Sequence, residues 1–227
     1  MIHLKSLSKA YASQNRVLDQ VELEIKKGEF IYVLGGTGVG KTSLLKLLAG
    51  EEDPTGGELW LFGYSIRNSN ETIRQAIRRS IGYIPQKVEL ISDFTVFENI
   101  ALGISYGGSR LLRTDTKQKI MELLDKLQLL HRKDALAREL SGGEAQRVAV
   151  IRALARQPEL IIADEPTGSQ DFQNTWSVMD LLLRANVNGT TIVVATHDRD
   201  IVRRVKKKCV HLSQGRLQLE EAALWAR

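Results

Sequence analysis

The chain has 227 residues, 43% hydrophobic and 26% charged, with a formal net charge of +5. That is enough apolar material for one substantial core and too balanced a composition for a disordered or fibrous chain. No apolar run reaches the roughly 20 residues a membrane helix needs, and Met1–Tyr11 lacks the apolar stretch of a secretory leader, so a cytosolic chain is expected. The single cysteine, Cys209, excludes an internal disulfide and a cysteine-cluster metal site, which suits a reducing compartment.

In chain order, Ile2–Leu7 and Val21–Ile25 alternate apolar and polar residues, as do parts of Glu58–Phe62. They are read as a small antiparallel sheet with one wet face. Phe30–Leu34 is a continuous apolar run, read as a buried strand, and Leu44–Ala49 as the helix that follows it. Arg74, Arg78 and Arg79 fall on a further predicted helix. Buried strands are read at Ile81–Ile84, Leu160–Ala163, Thr191–Ala195 and Cys209–Leu212. Between about 87 and 158 the period turns helical, with Ile120, Leu123, Leu124, Leu127 and Leu130 marking the apolar face of Lys117–Leu130. Gly103–Thr114, which contains Gly107-Gly108-Ser109, reads as a flexible connection. The predicted fold is α/β: one domain over 1–227, with a nucleotide-binding core, a small antiparallel β-subdomain and a helical subdomain at about 87–158.

Three stretches carry chemistry. Gly35-Gly36-Thr37-Gly38-Val39-Gly40-Lys41-Thr42, followed by Ser43, matches G-x-x-x-x-G-K-[ST] between a predicted strand and a predicted helix. Glycines let backbone N–H groups converge on phosphate oxygens, and the helix adds the positive end of its dipole. Lys41 would reach the β- and γ-phosphates, and the Thr42 hydroxyl would coordinate Mg²⁺. The run Leu160-Ile161-Ile162-Ala163 ends in Asp164-Glu165, a buried strand delivering two carboxylates to its C-terminal edge. Asp164 would hold Mg²⁺, and Glu165 would polarise the attacking water. Finally, Leu140-Ser141-Gly142-Gly143-Glu144-Ala145-Gln146-Arg147 opens a helix with a good N-cap, Ser141, and with glycines that permit close approach, offering a helix N-terminus to an anion.

This octapeptide resembles the signature of ABC-type ATPase domains. The order phosphate loop, Gln86, signature, Asp164-Glu165, Asp171, His197 is similar to that family over nearly the whole chain. The resemblance implies a P-loop NTPase core of ABC type that binds ATP and Mg²⁺. It implies that Gln86 contacts Mg²⁺ and the attacking water, that His197 contacts the γ-phosphate, and that Tyr11 stacks on adenine. Ser141, Gly142, Gly143 and Glu144 would face the γ-phosphate held by a second subunit, so a homodimer with ATP at its interface is implied. Asp171 belongs to the loop that signals between the two sites. Gln170 stands in that loop where the family usually has an apolar residue, which brings coupling between the sites into question.

Gly57-Glu58-Leu59-Trp60, Asp93–Ile100 and Ala163–Gly168 resemble the branch that holds cell-division, lipoprotein-release and macrolide-export ATPases. Lys9-Ala10-Tyr11, Leu44–Leu48 and Trp60 lean to its FtsE-type cell-division members. The implied partner is an integral membrane protein of FtsX type, with the chain peripheral on the inner face of the cell membrane and ATP closure driving cell-wall hydrolysis. A soluble ATPase of ribosomes would carry two such domains in tandem, and one of chromosomes a long coiled coil; the sequence has neither pattern. Arg199, Arg203, Arg204 and Lys206–Lys208 form a basic cluster. A solvated face, anionic lipid, an acidic protein segment and nucleic acid all remain open for it, the last without any supporting motif.

Overall fold

The computed structural model describes residues 1–11, 16–104, 114–168 and 172–220. The chain begins with an antiparallel pair, β1 (Ile2–Ala10) and β2 (Arg16–Ile25), then β3 (Phe30–Leu34), α1 (Lys41–Leu48), β4 (Gly56–Leu61) and β5 (Tyr64–Ser65). It continues through α2 (Glu71–Arg79), β6 (Ile81–Ile84), α3 (Val96–Ile104), α4 (Thr114–Lys126) and α5 (Gly142–Leu154). The last part comprises β7 (Leu160–Asp164), α6 (Phe172–Val187), β8 (Thr191–Ala195), α7 (Arg199–Arg204), β9 (Lys208–Ser213) and β10 (Arg216–Glu220).

These strands form two sheets, one in the order β2-β1-β4-β5 and one in the order β10-β9-β3-β8-β7-β6. The first is antiparallel; in the second, β9, β3, β8, β7 and β6 run parallel and only β10 opposes them. The difference follows from the residues. Every residue of β3, β7 and β8 is buried, so their apolar runs suit a sheet covered on both faces. In β2 burial alternates over Val21–Ile25, as a sheet wet on one side requires.

One face of the large sheet, through Ile31, Val33, Ile162 and Val193, packs on α1 and on the inner face of the small sheet. Leu44, Leu45, Leu47 and Leu48 are all fully buried, because α1 lies between two sheets and has no broad solvent face. The opposite face, through Phe30, Tyr32, Ile161 and Val194, packs on residues of α3, α4, α5 and α6. Among these helices Asn99, 1% exposed, shapes the segment before α3. Its Oδ1 accepts from the Ile91 N–H at 2.8 Å, and its Nδ2 lies 3.1, 3.3 and 3.0 Å from the carbonyls of Ile91, Phe94 and Thr95.

The structure departs from the sequence reading at several points. The helix expected over Lys117–Leu130 runs from Thr114 and stops at Lys126; Gln128 has φ 56, and Leu130 starts a separate short turn. Strand β10 was not expected. It is joined to β9 by Gln214 and Gly215, with φ 48 and 75, which is the positive-φ pair of a tight hairpin turn. Helix α6 was also not expected, although Val178, Leu181 and Leu182 bury one side of it. The connection read at Gly103–Thr114 lies for the most part outside the described residues.

Candidate active site

Because β3, β8 and β7 are adjacent and parallel, the segments after them emerge together at one edge of the sheet. Ala195 pairs with both Val33 and Asp164, so the phosphate loop, the acid pair and Thr196-His197 lie side by side. Backbone bonds tie the exits together: Thr196 N–H donates to the Val33 carbonyl at 3.3 Å and Glu165 N–H to the Ala195 carbonyl at 2.9 Å. Open parallel sheets bind ligands at this edge.

In the phosphate loop, Gly35 and Gly40 have φ of 153 and 107. A Cβ at Gly35 would sit 2.5 Å from the Leu212 carbonyl oxygen, and one at Gly40 2.7 Å from a Val17 methyl, so both positions exclude a side chain. Gly40 caps α1 without a side-chain hydrogen bond, and the first-turn N–H groups are left facing the loop that Gly36, Thr37, Gly38 and Val39 complete. The Lys41 ammonium crosses this loop, donating to the carbonyls of Gly35 at 2.8 Å and Gly36 at 3.0 Å. A cavity of about 200 Å³ opens beside it, bordered by Gly35, Gly36, Thr196 and His197.

Thr42 Oγ1 donates to Asp164 Oδ2 at 2.6 Å. Burial pushes the Asp164 carboxyl above the usual carboxylate range and the neighbouring Glu165 charge adds to this, while the Thr42 hydroxyl, Lys41 and Lys46 act against it. Such a carboxyl gains from a cation. Two hard oxygen donors in contact, one of them a desolvated carboxylate, are a donor set that fits Mg²⁺ held jointly with substrate phosphates.

Glu165 has φ 48, and of the seven described non-glycine residues with positive φ it alone is buried. A left-handed conformation costs a non-glycine residue about 1–2 kcal/mol, and a buried case beside a cleft is a candidate functional position. Its Oε1 lies 2.6 Å from His197 Nδ1 and its Oε2 accepts from Thr196 Oγ1 at 3.1 Å. With an ionised carboxylate this contact needs the imidazole proton on Nδ1, which turns Nε2 of the exposed ring outward.

The remaining candidates lie around this edge. The Tyr11 hydroxyl is 3.1 Å from Ser43 Oγ and donates to Glu52 Oε2 at 2.8 Å, while Lys9 Nζ stands 5.0 Å from the ring centroid. Tyr11 is 54% exposed beside α1. Burial alone would raise the Glu52 carboxyl, but hydrogen bonds from Lys9 and Tyr11 outweigh it and hold the group low. Gln86 is exposed just beyond β6, next to β7, and the buried Gln146 of α5 reaches the preceding Pro85 carbonyl at 3.5 Å.

Ser141, Gly142, Gly143 and Glu144 form the start of α5. Ser141 Oγ accepts from Glu144 N–H at 3.3 Å while Glu144 Oε2 accepts from the Ser141 N–H at 2.8 Å, a reciprocal cap. Burial would raise Glu144, but these bonds with Ser141 and the nearby Arg132 and Arg147 hold it low. These interactions are all within the helical region; none reaches the phosphate loop. Asp171, with Ser169 and Gln170, lies outside the described residues. Three residues of the basic cluster have distinct neighbours. Arg204 stacks over Phe172 and Trp176, Lys207 lies over Phe30, and Lys208 faces Glu29.

Sequence reasoning gave no role of their own to Glu52, Asn99, Gln146 and Thr196. Asn99 and Gln146 fall inside stretches it singled out, and Thr196 stands between β8 and His197; Glu52 carried no signal.

The sequence profile described as ABC transporter matches residues 18–168. The chain belongs to the ABC transporter family as one of its ATP-binding cassettes, and it is an ATPase. It is 36% identical over 222 residues to the cell division ATP-binding protein FtsE of Bacillus subtilis (strain 168), covering 98% of this chain and 96% of that one. Over 221 residues it is 38% identical to the methionine import ATP-binding protein MetN of Francisella tularensis subsp. holarctica (strain OSU18), covering 96% of this chain and 63% of MetN. Among solved structures, the dimeric post-hydrolysis state of the ATP-binding cassette MJ0796 bound to ADP and Pi superposes with a TM-score of 0.89 at 31% identity, covering 98% and 99% of the two chains.

Proposed function

We propose that this chain is the ATP-hydrolysing subunit of a membrane complex of FtsE–FtsX type, acting as a homodimer on a membrane protein that controls cell-wall hydrolysis during division. The observation that carries the chemistry is the set of contacts Thr42–Asp164 and Thr196–Glu165–His197 at one sheet edge. The cell-division role is supported by 35–37% identity, over nearly the full length, to FtsE proteins of Bacillus subtilis, Streptococcus pneumoniae and Mycobacterium tuberculosis.

In this reading the loop N–H groups and Lys41 bind the β- and γ-phosphates, and Tyr11 stacks on adenine. Thr42 and Asp164 hold Mg²⁺, which neutralises charge on the phosphate oxygens when bound. Glu165 orients a water and takes its proton as the water oxygen bonds to the γ-phosphorus. The bond from that phosphorus to the β–γ bridging oxygen breaks, and ADP leaves with the electron pair. His197 Nε2, directed outward, reaches the γ-phosphate, and Gln86 senses the metal and water from the side of the membrane partner. Ser141, Gly142, Gly143 and Glu144 complete the site of a second copy, and Asp171 signals across the pair. No described helix is long and apolar enough to cross a membrane, so the membrane-embedded part belongs to the partner in this reading.

Glu165→Gln should lower turnover about 100-fold or more while keeping ATP bound, and it should sediment as a dimer with ATP and Mg²⁺. That variant, purified from solubilised membranes with ATP and Mg²⁺, is then analysed by mass spectrometry for its bound protein. An FtsX-like protein supports the division reading. A lipoprotein-release, macrolide-export or methionine permease moves the chain to a transport reading, and ribosomal proteins or DNA overturn the membrane partner.

A further inference from the structure

Thr196 is 1% exposed and follows β8 directly. Its hydroxyl has two partners: Oγ1 donates to Glu165 Oε2 at 3.1 Å and accepts from the Asp198 N–H at 3.0 Å. Its own N–H donates to the Val33 carbonyl at 3.3 Å, which anchors the residue to β3. Asp198 in turn caps α7, with Oδ1 accepting from the N–H groups of Asp200 at 2.8 Å and Ile201 at 3.2 Å. Between Thr196 and Asp198 stands His197, whose side chain is 76% exposed and meets the other carboxylate oxygen, Glu165 Oε1.

The two oxygens of Glu165 are therefore held in physically different ways. Oε2 is tied to a hydroxyl that is buried, bonded on both sides and unable to turn without leaving the Asp198 N–H unsatisfied. Oε1 faces an exposed ring that can rotate at small cost. A valine would fill the volume of Thr196, so packing alone does not explain a hydroxyl at this depth; a buried polar group persists where its bonds are made. A carboxylate acting as general base must hold an oxygen within hydrogen-bond reach of the proton it takes, and fixing Oε2 sets where Oε1 stands.

We infer that Thr196 is a positioning residue for hydrolysis: it fixes Glu165 Oε2, so that Oε1 is presented to the attacking water when His197 turns to the phosphate. This rests on the reading of Glu165 as the base.

Steady-state ATPase kinetics with thermal melting test it on Thr196→Val, Thr196→Ser and Glu165→Gln, measured together in the complex with the membrane partner. Thr196→Val should lower kcat about 10-fold, the effect of one lost hydrogen bond, with KM for ATP unchanged, and Thr196→Ser should restore most of the loss. In the Glu165→Gln background, Thr196→Val should cause no further fall. Thr196→Ala asks the same question if the second valine methyl prevents folding. Wild-type kcat in Thr196→Val beside a disabled Glu165→Gln overturns the inference and leaves the base intact. So does a serine variant no better than valine, or a loss shared equally between kcat and KM. Full turnover in Glu165→Gln overturns the base reading itself, and Thr196 with it.

Discussion

The two regions that the proposed function assigns to phosphate are built on opposite plans. At the sheet edge, the exits of β3, β7 and β8 are bonded to one another through backbone and side chains, so Lys41, Thr42, Asp164, Glu165, Thr196 and His197 make one connected network within a single chain. At the start of α5, Ser141 and Glu144 satisfy each other and Arg132 pairs with Glu144, and among the described residues the helix N-terminus has no bond to that network. In the proposed dimer, this capped helix start, separate from the nucleotide loop of its own chain, would meet the anion held by the second copy. On the proposed function, binding belongs to one chain and turnover to two.

Lys41→Ala should have the largest effect. Losing the ammonium should weaken ATP binding by at least about 100-fold, read by titration with a fluorescent ATP analogue. Ser141→Ala should do the reverse: ATP binding by one chain persists, kcat falls, and stability drops by about 1 kcal/mol from the lost cap, read by denaturant titration. Equal loss of ATP affinity in both variants would break the contrast.

Tyr11→Ala sharpens the first region. It should weaken ATP about 10-fold, the effect of one lost stacking contact, with GTP and ATP then bound alike and kcat at saturation unchanged.

The smallest effect is on stability. A carboxyl raised by burial, as in Asp164, makes the nucleotide-free fold less stable as pH rises through its folded pKa, because ionisation is harder in the folded than in the unfolded chain. Asp164→Asn should therefore raise the melting temperature of the nucleotide-free protein at neutral pH, and the gain should vanish below the ordinary carboxylate range. A wild-type melting temperature at both pH values would show that the Asp164 carboxylate is not held at a cost.

How much of this was legible beforehand depended on how local the signal is. The phosphate loop, the acid pair and the signature helix were readable because each is one contiguous segment whose residue types serve one backbone geometry. The strands β3, β7 and β8 were readable because a sheet covered on both faces demands unbroken apolar runs, and β6 and β9 from the apolar residues they carry. Helix α6 was missed because Phe172 and Trp176 are spent on a ring contact with each other and on Arg204 at the surface, which blurs the apolar stripe. Strand β10 was missed although Leu217 and Leu219 alternate and Gln214-Gly215 is a turn signal. It is an edge strand with two apolar residues in five, too few to stand out.

The sequence by itself determined the family, the order of the motifs and the identity of the acid, the lysine and the helix cap, since these follow from spacing along one stretch of chain. Only the tertiary structure decided which of them touch. That Asp164 meets Thr42, that a threonine rather than the histidine alone holds Glu165, and that Tyr11 is tied to Glu52 and Ser43 all depend on residues 30 or more positions apart meeting at one sheet edge. Their proximity is set by strand order and register, and no local pattern encodes those.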